Sequence, residues 1–128
     1  MILLDTHAFI WLASSSRNLS AKAKHLIIAN ASRLHISVVS AWEISILVRK
    51  GRLELPLSPE QYVEEAIEHL SLLEIPLTRE IAQRSVMLPD IHNDPFDRVL
   101  VAECLSKPFT LISADKLIAQ YPGIHVVW

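Results

Sequence analysis

The chain has 128 residues, about half of them apolar, with 12 Lys and Arg against 14 Asp and Glu and a net charge of −2. That is the size of one domain with material for a core, no run approaches the roughly 18 apolar residues of a membrane span, and Met1-Ile2-Leu3-Leu4-Asp5 has neither the basic flank nor the cleavage site of a signal peptide. A single cytoplasmic domain over residues 1–128 is therefore expected. Two glycines in all exclude glycine-rich phosphate loops, and the lone Cys104, in an apolar helical run, reads as a small buried hydrophobe.

In chain order, residues 1–4 read as a strand and 7–13 and 20–30 as helices. A strand over 34–39 and a helix over 41–50 follow. The clearest helix spans 58–70, where Tyr62, Val63, Ala66, Ile67 and Leu70 form one stripe opposite the glutamates. Ser58 is its N-cap, Pro59 its first residue, and Gln61 completes a capping box. Then come a strand over 72–77, helices over 79–88 and 95–106, a strand over 109–113, a helix over 115–120 and a strand over 124–128. The strands are near-continuous apolar runs, as in a parallel sheet covered on both faces. Strand and helix alternate as in an open α/β sandwich.

Four acids fall at strand ends or helix starts: Asp5 after the first strand, Glu43 and Asp97 in the first turns of their helices, and Asp115 after the fourth strand. Open α/β sheets bind ligands beyond the carboxyl ends of their strands. A plainer explanation competes at each position, since acids favour helix starts. Ser40 to Glu43 has the form of a capping box, and Asp94-Pro95-Phe96-Asp97 supplies a cap, a proline and an acid. Against this, Glu43 shares a helical face with Ile46 and Leu47, and Asp97 with Leu100 and Val101. Asp5 sits among apolar residues with no Lys or Arg near it in sequence. Two like charges about 4 Å apart repel by about 4 kcal/mol at an effective dielectric of about 20, so converging carboxylates need protons or a cation. An all-oxygen site suits Mg2+ or Mn2+, whereas zinc wants His or Cys. The six histidines show no paired ligand spacing, and only His92 lies beside the acidic loop.

The chain resembles the PIN-domain ribonucleases, specifically the VapC-type toxins of toxin–antitoxin pairs. The resemblance is carried by Leu3-Leu4-Asp5-Thr6-His7-Ala8-Phe9-Ile10-Trp11, by Ser37-Val38-Val39-Ser40-Ala41-Trp42-Glu43-Ile44, by His92-Asn93-Asp94-Pro95-Phe96-Asp97-Arg98 and by Leu111-Ile112-Ser113-Ala114-Asp115. It implies a three-layer α/β/α sandwich with a five-stranded parallel sheet. It also implies one or two Mg2+ or Mn2+ ions on Asp5, Glu43, Asp97 and Asp115, metal-dependent RNA cleavage, a small VapB-like antitoxin partner and frequent dimerisation. Asp94 is read either as a helix cap or as a support for the metal through water. Ser113 is read as a partner of a carboxylate or phosphate or as a plain strand-end residue. Arg98 is read as a partner of Asp94, an RNA contact or a solvated side chain.

Without a basic surplus, RNA has to be held by a local patch, a dimer groove or metal ions. Trp11, Trp42, Ile44, Ile46, Leu47 and Val48 make two helices apolar on more than one side, which suggests a surface for a second copy or an antitoxin helix. A receiver-like signalling domain, a catalytically silent interaction module of the same fold and a DNA-directed nuclease are the competing readings.

Overall fold

The computed structural model describes residues 1–128. Five parallel strands form one sheet: β1 (Ile2–Leu4), β2 (Leu34–Ser37), β3 (Leu73–Ile75), β4 (Thr110–Ile112) and β5 (His125–Val127), in the order β3-β2-β1-β4-β5. Ile2 is in register with Leu34 on one side and Thr110 on the other. The helices are α1 (Thr6–Ala13), α2 (Ala21–Ala29), α3 (Val38–Arg49), α4 (Pro59–His69), α5 (Arg79–Val86) and α6 (Pro95–Ser106).

Because side chains alternate along a strand, each strand feeds two cores. Ile2, Leu4, Leu34, Ile36 and Ile112 pack with Phe9, Ala23, Ile44 and Val63 from α1 to α4. Leu3 and Leu111 pack on the other face with Leu100, Val101 and Cys104 of α6. This is the three-layer α/β/α sandwich expected from the sequence. The sheet order differs from the β2-β1-β3-β4-β5 order of receiver-like domains, which removes that reading.

Several local expectations are corrected. The strand expected over 34–39 ends at Ser37, and α3 starts at Val38 with Ser37 as its N-cap. Ser40 is therefore not a cap, and Glu43 lies in the second turn, beyond the reach of any capping role. The Ser37 hydroxyl accepts from the Val39 N–H at 3.4 Å and donates to Glu103 Oε1 at 2.8 Å, tying α3 to α6. α3 stops at Gly51, which takes the left-handed φ of 70° that favours glycine. At α4 only half the capping box forms: Ser58 accepts from the Gln61 N–H, but its hydroxyl donates to Gln61 Oε1. The helix expected over 115–120 shrinks to a 3-10 turn, Ile118–Gln120. Of the apolar residues assigned to a partner surface, Trp11 packs on the core, Ile44 is fully buried, and Ile46, Leu47 and Val48 are half-buried. Trp42 alone is exposed, at 58%. No helix is long and apolar enough to cross a membrane.

Candidate metal centre

The order β3-β2-β1-β4-β5 reverses direction beside β1, which opens a crevice at the carboxyl ends of β1 and β4. Asp5 immediately follows β1. Its Oδ1 accepts the Ala8 N–H at 2.7 Å, so it caps α1, and its own N–H donates to the Ile112 carbonyl of β4 at 3.1 Å. Asp115 follows β4 and accepts the Leu117 N–H at 2.8 Å, and its own N–H donates to the Ser113 hydroxyl at 3.1 Å. Asp97 comes from the first turn of α6, which Asp94 caps by accepting the Phe96 N–H at 2.8 Å. Glu43 comes from the second turn of α3.

All four acids, with Asp94, line one open cavity of about 410 Å³ whose walls include no Lys or Arg. Asp5 and Glu43 are 6% and 9% exposed. Oε1 of Glu43 is buried with no hydrogen-bond partner, a costly state for a carboxylate unless a cation or proton meets it.

The electrostatics follow from this crowding. Burial pushes Asp5 above its ordinary range, opposed by the Ser113 hydroxyl and the Ala8 amide. Burial also raises Glu43, opposed by the Thr6 hydroxyl and reinforced by the charge of Asp94. Asp97 is pushed up to about 7, first by burial and then by Asp94, with Glu43 and Asp5 adding to it and His92 opposing. Asp115 behaves differently. Burial would raise it, but the His92 and Leu117 hydrogen bonds outweigh that and hold it below the ordinary carboxylate value.

His92 is the residue that sequence reasoning left at the margin. Its Nδ1 accepts the Asp94 N–H at 3.0 Å, so in the neutral ring the proton sits on Nε2. That N–H lies 2.8 Å from Asp115 Oδ2 and 3.2 Å from Asp97 Oδ2, and it joins the two carboxylates. His92, Asp97 and Asp115 each bring a donor atom within 4.8 Å of the others, close enough to surround an ion. With Nε2 protonated, however, the histidine is a hydrogen-bond donor to the acids, and the free lone pairs are carboxylate oxygens. Those are the donors that hard divalent cations prefer.

Arg98 neither pairs with Asp94 nor faces the cavity. Its guanidinium donates to the carbonyls of Ser85, Val86, Leu88, Pro89 and His92 and to the Tyr121 hydroxyl, at 2.9–3.3 Å. Tyr121 in turn accepts the His92 N–H at 3.0 Å and donates to the Pro89 carbonyl at 3.1 Å. Arg98 and Tyr121 thus clamp the loop that presents His92 and Asp94. The Ser113 hydroxyl accepts the Asp115 backbone N–H at 3.1 Å and opposes the rise of Asp5. Thr6 and Ser40, buried and joined at 3.0 Å, brace the start of α1 against α3, and nothing in their spacing marks them.

Residues 2–124 match the family model described as the PIN domain. The chain belongs to the PIN domain family. It is 26% identical over 130 residues to Ribonuclease VapC22 of Mycobacterium tuberculosis, spanning 99% of this chain and 98% of that protein. Among solved structures, a toxin–antitoxin complex from Klebsiella pneumoniae matches with a TM-score of 0.70 and 26% identity, over 100% of this chain and 97% of that one. A DNA-bound VapBC from Salmonella typhimurium has a TM-score of 0.69 at 18% identity, over 99% and 98%, a likeness of fold.

Proposed function

We propose that this PIN-domain chain is a ribonuclease dependent on Mg2+ or Mn2+, the toxin of a toxin–antitoxin pair, inhibited by a small VapB-like antitoxin and working as a homodimer of single-domain subunits. The observation that carries this reading is the convergence of Asp5, Glu43, Asp97 and Asp115 from four separate elements into one cavity without a cationic side chain. The full-length likeness to a ribonuclease and to a toxin–antitoxin complex supports the substrate and the partner.

The residues fit a divalent cation, since Glu43 Oε1 is buried without a hydrogen-bond partner and burial and mutual repulsion raise the pKa values of Asp5, Glu43 and Asp97, costs that a cation among the carboxylates offsets. One or two such ions, when bound, supply Lewis acidity toward water and the phosphoryl oxygens. Asp5 and Asp97 are assigned as the direct ligands. Asp5 is fixed in place because Oδ1 is already spent on the Ala8 amide and its N–H on β4. Glu43 and Asp115 complete the site. His92 holds its proton on Nε2 and keeps Asp97 and Asp115 aligned. Asp94 sets the start of α6 and adds negative charge.

Purified protein incubated with RNA and Mg2+ or Mn2+ should cleave it, and EDTA or Asp5→Asn should abolish cleavage while the fold survives. Undiminished cleavage in EDTA, or an active D5N variant, refutes the reading. The same metal-loaded protein should leave DNA of matching sequence intact; cleavage of that DNA would favour the DNA-directed reading instead.

A further inference from the structure

One buried acid of α6 has no part in the metal centre. Glu103 is 2% exposed, and its carboxylate uses only one oxygen. Oε1 accepts the Ser37 hydroxyl at 2.8 Å, while Oε2 is buried with no hydrogen-bond partner. The tie between α3 and α6 needs the first oxygen alone. The second is a lone-pair site withdrawn from water, a costly state unless a donor meets it. No side chain of the fold does so. The ion pairs are those of His92 with Asp97 and Asp115, and Arg84 of the adjacent α5 donates instead to the Ser106 hydroxyl at 2.7 Å.

Glu103 also lines a cavity of about 320 Å³ that shares no residue with the acid cavity. It lies between the edge strand β3, the start of α5 and the last turn of α6. Ser37 is in register with Ile75 of β3, and Ile75 is a wall of the cavity. The carboxylate held by Ser37 therefore stands at the inner side. Ile75, Ile81 and the buried Phe109 make the walls apolar, and the exposed Glu80 and Lys107, of opposite charge, flank the mouth. Apolar walls around a single buried polar group are the usual form of a small-molecule site.

We propose that this cavity binds a small organic cation, a primary ammonium on an apolar or aromatic body, whose N–H donates to Oε2 of Glu103. One free oxygen matches one N–H donor. A guanidinium or amidinium fork needs both oxygens of a carboxylate, and Oε1 is already taken. The apolar walls receive the body of the ligand. Burial pushes Glu103 up to about 7, opposed by the Ser37 hydrogen bond, and a cation on Oε2 favours the charged form, so ligand and carboxylate stabilise each other.

The test titrates benzylammonium, benzyl alcohol and benzoate into the 15N-labelled protein at pH 8 and reads amide shifts by NMR, in excess Mg2+ so that the acid cavity does not compete for the cation. Benzylammonium should move the amides of residues 75–81 and 103–109 saturably, with a Kd about 10-fold below that of benzyl alcohol, and benzoate should not bind. Glu103→Gln keeps an acceptor for Ser37 but sets an uncharged NH2 in place of Oε2, so benzylammonium should fall to the affinity of the alcohol. Glu80→Gln, at the mouth, should cost at most about 2-fold. Equal affinity for the ammonium and the alcohol, shifts confined to the acid cavity, no saturable shift, or equal losses in E80Q and E103Q overturns the proposal. The comparison of the three probes on the wild type needs no variant and decides the matter if E103Q does not fold. A wild type that cuts no RNA leaves this test intact.

Discussion

Asp97→Asn separates the two demands on the acid cluster, folding and metal binding. In the folded chain Asp97 ionises near pH 7, against 3.8 for the free side chain, mainly because of burial and then the charge of Asp94. A raised carboxylate pKa means that the native state holds its proton more tightly than the unfolded state. Its effect on stability is nil below about pH 4, grows as pH rises, and is complete above pH 7 as a penalty. About three pH units at 1.36 kcal/mol each give an upper bound of roughly 4 kcal/mol. The amide keeps the shape, still accepts from His92 and carries no charge. Urea denaturation followed by tryptophan fluorescence, in EDTA at pH 5, 6.5 and 8, should find D97N more stable than wild type at pH 8, by a margin that falls to less than half at pH 5, where only about one of the three pH units has been crossed. Glu103, also pushed to about 7 by burial, leaves both proteins a shared slope, so the difference between them is the quantity to read. Mg2+ at 100 times its Kd should narrow the gap by about 2.7 kcal/mol and at 1,000 times should close it, since about 4.1 kcal/mol is then added to the wild type and little to the variant. If D97N is less stable than wild type at pH 8 in EDTA by the same margin as at pH 5, the cluster is not electrostatically strained and the reasoning fails.

Two further substitutions probe the support of the site. Arg98→Lys cannot reproduce a planar fork donating to five carbonyls and a phenol. It should cost about 2 to 4 kcal/mol in urea denaturation and speed hydrogen exchange over residues 86–93; wild-type stability would refute the clamp. His92→Ala removes the N–H shared by Asp97 and Asp115. The Mg2+ concentration for half-maximal cleavage should rise about 10- to 100-fold, and an unchanged metal titration would show that His92 does not align the acids.

The strands were legible because parallel strands buried on both faces leave runs such as Ile2-Leu3-Leu4 and Thr110-Leu111-Ile112, each too short and too β-branched or aliphatic to compete as a helix. The start of α3 was not, because Val38 and Val39 look like a continuing strand and Ser40 looks like a cap. Tertiary contact decides it: Ser37 is held by Glu103 from α6, a partner no local pattern reveals. Placing Glu43 one turn deeper removes its alternative role as a helix starter, so the structure sharpens that acid more than the others. The grouping of the four acids in one cavity was anticipated from strand ends and inward faces. The role of Arg98 was invisible because main-chain carbonyls carry no residue-type signature. His92 was noticed for its neighbours, but its proton position depends on the Asp94 amide, a fact of loop geometry.

β1 is the first strand to be synthesised and the middle strand of the sheet. Its second neighbour, β4, arrives near the other end of the chain, and the Asp5 N–H is satisfied only by Ile112 of that strand. A chain still emerging from the ribosome therefore holds Asp5 on an unpaired edge, without Asp115 and without the crevice between β1 and β4. The acid cavity is thus a product of the sheet's middle rather than of any one segment: it exists only once β4 has docked on β1, and a fragment that lacks β4 cannot present it.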